Sequence, residues 1–261
     1  VSVDLLEQPK KYWEAVLFIM LAKNFGLNIN GDAFFSMAQS LDFSVVRKHQ
    51  SKPNELEALF LGQSGLLNTK SSEPYELHLI ELYHYLKHKY QLNNSHVPRP
   101  EFFKLRPPNF PTIRLSQLAI LYTKNDTLFS RILEIKKLAH FYELFQIGCS
   151  EFWKTHFTFE TTSKTSHKVL TKNFINLLII NTVVPLKFAY NKKQGIDEIS
   201  ELLELMTKIP AENNTITKKF YRLKTLPNSA NISQALLQLK TQYCNPNKCL
   251  QCAVGSRLIS K

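Results

Sequence analysis

Glycine is what this chain does without. Seven of its 261 residues are Gly, at positions 26, 31, 62, 65, 148, 195 and 255, less than half the roughly 7% usual in soluble proteins. Turn-dense all-β folds and collagen-like repeats draw on the left-handed conformations that glycine supplies, so both are excluded. The same seven cannot be arranged into GxGxxG or GxxxxGK[ST], which removes the phosphate loops a sequence can announce. What remains is a chain built of helices. Its 44% hydrophobic content is enough to bury a sizeable interior, as one large domain or two small ones.

The apolar periodicity agrees. Pro9 suits a first helical turn, and Trp13, Val16, Leu17, Met20 and Leu21 then recur at 3/4 spacing until Gly26. Short helices are predicted over 31–41, 43–50 and 54–61. A longer one over 74–90 carries Leu77, Ile80, Tyr83 and Leu86 or Tyr90 on one face. Residues 91–111 hold five of the twelve prolines, a density that forces an extended connection. Phe102, Phe103, Leu105 and Phe110 are too apolar for a free linker, so a packed strap is expected. Helices are predicted again over 113–122, 127–146, 171–191, 196–208, 211–224 and 231–243, with Gly195, Pro210 and Pro227 between the later ones. The alternation Trp153, Thr155, Phe157, Phe159 reads as a short extended piece. No internal repeat is visible. The expected architecture is all-α: an irregular multi-helix bundle forming one module over 1–261. It has potential lobes 1–90 and 112–261, joined by the strap, and a cysteine turn near its C-terminal end.

Charge is distributed unevenly. Residues 1–150 hold 17 Lys and Arg against 14 Asp and Glu, and residues 205–261 hold nine against the single acid Glu212. So one-sided a field points to a polyanion, nucleic acid ahead of an anionic membrane surface. Four cysteines, at 149, 244, 249 and 252, are too few for a disulfide-stapled secreted scaffold. The start, Val1-Ser2-Val3-Asp4, has no basic region leading into an apolar one, so no signal peptide is expected. Its lack of Met implies a piece of a longer chain. The apolar stretch 174–190 is interrupted by Asn176, Asn181, Thr182, Pro185 and Lys187 and reads as a buried helix, not a membrane span. A cytoplasmic location without membrane contact is expected.

Several constellations resemble chemical sites. His78, Glu81, His84 and His88 lie on one predicted helix and His84 and His88 share a face of it, but Tyr85 stands where a zinc-protease helix has Glu, leaving amphipathic-helix histidines. Asp126, Glu134 and Lys136 imitate nuclease spacing, yet Leu128, Ile132, Ile135 and Ala139 impose a helical period where converging strands are required. Cys149 lies close in sequence to His156, and a buried, inert thiol is the simpler reading. Cys244, Cys249 and Cys252 supply three of the four thiolates of a zinc site or an iron–sulfur cluster. Reduced structural cysteines and a redox pair are the competing readings. In the helix after Pro210, Ile216, Phe220 and Leu223 form an apolar stripe. Lys218, Lys219, Tyr221 and Arg222 fall mostly on other faces, with Lys224 following, an arrangement that can track phosphates and stack a base. In the strap, Arg106 and Arg114 flank a helix start capped by Thr112. They either hold an anion there or pair with carboxylates such as Glu81 or Glu143.

The strap residues Arg106-Pro107, Asn109-Phe110-Pro111-Thr112, Arg114 and Gln117-Leu118-Ala119 also carry a likeness. So do Phe152-Trp153 with Thr155-His156-Phe157, Ile180-Asn181-Thr182-Val183-Val184-Pro185, Tyr243-Cys244 and Cys249-Leu250 with Cys252. Together they resemble the bacterial family named domain of unknown function 2851. The resemblance implies no assigned activity. It implies longer members with an additional N-terminal part, similar to a restriction-endonuclease-like core, and assigns this chain to the later helical part. It marks Arg106, Asn109, Arg114, His156 and the cysteine trio as family features. The expected role is a non-catalytic, basic, nucleic-acid-binding accessory module of a nuclease-like protein, whose partners are nucleic acid and that N-terminal domain. The alternative is a protein-interaction module for an acidic partner. This chain alone is not expected to be an enzyme.

Overall fold

The computed structural model describes residues 13–68 and 71–259; Pro9 lies outside them. Every regular element among the described residues is helical, and the chain is all-α. It divides into two compact units. The first comprises 1–135 with 139–187, and the second 136–138 with 188–261. The strap 91–111 lies inside the first unit.

The first unit is organised on α1 (Trp13–Phe25), α2 (Leu27–Gln39), α3 (Phe43–Lys48), α4 (Pro53–Gln63), α5 (Pro74–Tyr90) and α6 (Pro111–Lys124). The 3/4 spacing in α1 understates its burial. Phe18, Ile19 and Ala22 are as buried as Val16, Leu17, Met20 and Leu21, because a helix apolar on all sides is an interior helix. Phe18 meets Phe43, Phe60 and Tyr122 at ring separations of 5.8, 5.5 and 5.3 Å. Phe18, Phe60 and Tyr122 are fully buried, each worth about 1.5–3 kcal/mol by area, and Phe43 is half-buried. α4 and α6 are likewise enclosed, from Leu56 to Gln63 and from Pro111 to Ala119. At Gly62 of α4, a Cβ would fall 2.2 Å from the Tyr83 ring of α5.

α5 spans 74–90 as its spacing predicts, but it presents Glu76, Leu79, Tyr83 and Leu86 inward, while Leu77 is exposed. It ends where Gln91 turns left-handed at φ 51°. The strap then runs back over α2 and α4. Asn30 holds Glu101 by both backbone groups, at 2.8 and 2.7 Å, and Gln63 Nε2 donates to Asn93 O at 3.0 Å. Phe102 and Phe110 pack ring to ring at 5.1 Å. Phe103 does not join them; it is 72% exposed, since the Phe102–Phe110 pair already closes the strap.

The predicted helix over 127–146 is two, α7 (Leu128–Glu134) and α8 (Leu138–Leu144). Lys187 caps the first: its Nζ donates to Leu133 O at 3.0 Å and Ile135 O at 2.9 Å. The extended piece expected over 153–159 is instead a 3₁₀ turn at Phe152–Lys154 and one isolated bridge, His156 to Thr162. From 172 the chain forms α9 (Lys172–Leu178), a π-helical segment (Ile179–Val183) and α10 (Val184–Gln194). Pro185 explains the widening, because it has no N–H and its ring displaces the carbonyl four residues before. By length and composition the whole Lys172–Gln194 stretch is long and apolar enough to cross a membrane. Its Phe174, Ile175, Leu178, Ile179 and Val183 side chains are buried in the first unit.

The second unit holds α11 (Ile199–Lys208), α12 (Thr215–Leu223), α13 (Ala230–Gln238) and α14 (Ala253–Ile259). α12 starts later than predicted, because Asn214 and Thr217 form a reciprocal capping box. α13 continues as a π-helical segment (Leu239–Cys244). The interior is thin: Leu202, Leu205, Met206, Ile209 and Ala230 carry it.

Candidate nucleic-acid interface

The second unit contains thirteen Lys and Arg against five Asp and Glu, and no acid follows Glu212. α12 concentrates that charge. Lys218, Tyr221 and Arg222 stand at i, i+3 and i+4, so they share one helix face. They line a cleft of about 580 Å³ whose other wall includes Pro210, Leu226 and Asn228. Tyr221 is half-buried, and its hydroxyl donates to Pro227 O at 3.0 Å, which fixes the ring. Lys219 and Lys224 are exposed beside the cleft. Glu212 is the one carboxylate in its lining, and its two oxygens accept from Asn214 Nδ2 and Gln234 Nε2, each at 3.1 Å. The expected apolar stripe of α12 needs one correction. Ile216 and Phe220 are half-buried, but Leu223 is 83% exposed, because the helix ends there and Lys224 turns extended.

The two strap arginines separate. Arg106 is exposed, whereas Arg114 is buried, so Arg114 is not a phosphate contact. Its guanidinium donates to Gln117 Oε1 at 2.9 Å and Asn109 Oδ1 at 2.6 Å, and lies 3.7 Å from the centre of the Phe174 ring. Neither acceptor is a carboxylate, and burial pulls its pKa down to about 10. The helix-start expectation changes with it. Phe110 occupies the cap position, and Thr112 instead donates to Phe157 O at 2.6 Å. Arg114, Asn109, Gln117 and Thr112 therefore fasten the strap and the 150s loop to α6.

Beside them lies a polar centre that periodicity does not reveal. Glu57 of α4 is fully buried, and it accepts from Ser116 Oγ at 3.0 Å, Tyr75 OH at 3.2 Å and Trp153 Nε1. Ser150 N donates to Ser116 Oγ at 3.0 Å. Burial raises the Glu57 pKa against the pull of these donors. Lys168, also buried, spans Trp153 O and Lys154 O. One signal for this centre was present: an acid inside the apolar run Leu56-Glu57-Ala58-Leu59-Phe60-Leu61.

The remaining candidates do not assemble. His78, Glu81, His84 and His88 are exposed on α5. Lys136 is paired with Glu201 at 2.7 Å. Cys149 is pushed up to about 11 by burial, and His156 stacks on Phe152 at 4.0 Å with its Nδ1 near Phe152 O. Cys244 and Cys249 are exposed, while Cys252 is buried. Among the described residues no group of three His, Cys, Asp or Glu is disposed to hold a metal ion. The zinc or iron–sulfur reading of the trio therefore finds no grouped ligand set among the described residues, which leaves the competing reading of reduced structural cysteines in place. Cys252→Ser should lower the stability of the second unit by about 1 kcal/mol, through burial of a hydroxyl. Cys244→Ser and Cys249→Ser should stay within about 0.5 kcal/mol. Urea unfolding of the three variants checks the order.

A profile of the family described as "Protein of unknown function (DUF2851)" matches residues 2–215. Among curated proteins and among solved structures, none matches the chain.

Proposed function

We propose, from the premise that this chain belongs to the DUF2851 family, that its second unit is a basic nucleic-acid-binding module. It serves a nuclease-like protein and contributes no catalytic group of its own. The observation that carries this reading is the α12 cleft, where Lys218, Tyr221 and Arg222 face one cavity in a segment without an acid after Glu212. Phosphates give such a site affinity, and each neutralised phosphate releases condensed counterions. Arg106, exposed in the strap of the first unit, is a secondary candidate contact; Arg114 is not.

Binding should be tight at low salt and fall steeply as salt rises, with little dependence on base sequence. For Z contacts the log–log slope is about −0.7Z to −0.9Z. Reversing Lys218, Lys219 and Arg222 to Glu should make that slope shallower by about 2 to 3. Fluorescence anisotropy between 50 and 300 mM salt, roughly the range over which such effects develop, measures it. An absence of binding at the lowest salt sinks the reading.

The second reading, docking of an acidic protein, draws on the same surplus of thirteen Lys and Arg over five Asp and Glu, with Leu223, Leu250 and Leu258 exposed in the same unit. It requires that Leu→Ser changes there weaken partner binding while leaving nucleic-acid affinity unchanged.

A further inference from the structure

We infer that the α12 cleft takes an unstacked base, so that the preferred ligand is a single-stranded nucleic acid; this rests on the nucleic-acid reading above. The cleft, about 580 Å³ and open to solvent, has room for a single base. Bases in a duplex are stacked and paired, and only a splayed base can enter such a space. The walls suit one. Tyr221 offers a ring whose hydroxyl is already committed to Pro227 O at 3.0 Å, so the π-face is held in place before any ligand arrives. Pro210 and Leu226 supply apolar surface within the same cleft. A base inserted there gains stacking at little ordering cost, because the platform is preorganised.

The charges orient the ligand. Lys218 and Arg222 flank Tyr221 on its helix face, and they attract the phosphates on either side of the inserted nucleoside. Glu212 repels phosphate from its part of the cleft. Its oxygens each accept one internal hydrogen bond and retain capacity for another. The exocyclic amino group of a base is the donor that matches them. Backbone on the cationic edge and base edge toward Glu212 is the arrangement this charge pattern selects.

The test compares a 20-nucleotide dC strand with a 20-bp mixed-sequence duplex, by fluorescence anisotropy on the full 261-residue chain at matched salt. The expected result is tighter binding of the strand. Tyr221→Ala should weaken strand binding by about 5- to 150-fold and leave duplex binding nearly unchanged. Tyr221→Phe keeps the ring but loses the Pro227 bond that holds it, and should weaken strand binding clearly less than Tyr221→Ala does, which separates stacking from any folding effect of the alanine. Equal or tighter duplex binding, with Tyr221→Ala harmless to the strand, overturns the inference while leaving the charge-based reading in place. If neither probe binds at low salt, the inference and the reading it rests on are both overturned.

Discussion

Replacing Trp153 with Ala should remove about 3–5 kcal/mol of unfolding free energy, enough to abolish a marginally stable fold. Trp153 is fully buried, and its ring meets Phe152 at 5.0 Å and Phe159 at 4.9 Å. Its indole N–H is also a donor to the buried Glu57. Trp153→Phe separates the two contributions. It keeps most of the apolar surface, deletes one donor from a buried acceptor, and should cost about 1–3 kcal/mol. Glu57→Gln addresses the proton. Because burial raises the Glu57 pKa, the folded state holds this proton more tightly than the unfolded chain does. The associated stability is complete below the unfolded carboxyl value of about 4.3 and is lost as pH rises through the folded value. The amide removes that loss, so Glu57→Gln should show a flatter decline in stability toward neutral pH. Urea unfolding of wild type and variants at pH 4, 5.5 and 7 is the measurement. A pH profile unchanged by Glu57→Gln would show that Glu57 does not titrate differently on folding.

Gly62→Ala should be nearly as damaging, by roughly 3 kcal/mol, the upper part of the range for overpacking. The added Cβ would lie 2.2–2.5 Å from three atoms of the Tyr83 ring, a fully interior position with no flexible side-chain end to yield. The Tyr83 hydroxyl donates to Gln63 Oε1 at 3.0 Å, and Gly62 O accepts from Asn94 of the strap at 3.3 Å. Displacing the ring therefore disturbs α5 and the strap together. A double-mutant cycle gives the sharper reading. In a Tyr83→Ala background the same Gly62→Ala change should lose most of its cost, a coupling of about 0.5–3 kcal/mol. Additivity of the two changes would place the damage elsewhere.

The class of fold was legible because scarce glycine and recurrent 3/4 spacing act along the whole chain. Individual faces were less so. In α5, Leu77 and Ile80 compete with Leu79, Tyr83 and Leu86 for the inward side, and the choice is made by α4 beneath it, where Gly62 leaves room for the Tyr83 ring. Glu57 was hidden by the reverse problem. A carboxylate in a helix reads as solvated face, and its donors come from Tyr75, Ser116 and Trp153, each remote in sequence. Arg114 has the charge of an anion ligand, yet its partners are two amides and an aromatic ring. The basic cluster was legible, since Lys218, Tyr221 and Arg222 need only helical periodicity to be brought together. The cysteine trio was not, because spacing brings three sulfurs near in the chain without deciding where each points.

Lys187 has a consequence for the order in which the molecule is made. It is the last residue of the first unit, and its bonds to Leu133 O and Ile135 O are the latest long-range polar ties which that unit acquires. Until the ribosome has released residue 187, α7 lacks its cap and the interior lacks Leu178, Ile179 and Val183. Another 74 residues of this chain then follow, requiring about 4–15 s at typical synthesis rates. That interval is long against the folding time of most small domains. The weakly cationic first unit, with 20 Lys and Arg against 16 Asp and Glu, can thus be buried and closed while the strongly cationic portion is still emerging beside ribosomal RNA. Vectorial synthesis separates in time the two stretches whose unfolded forms differ most in their attraction to polyanions.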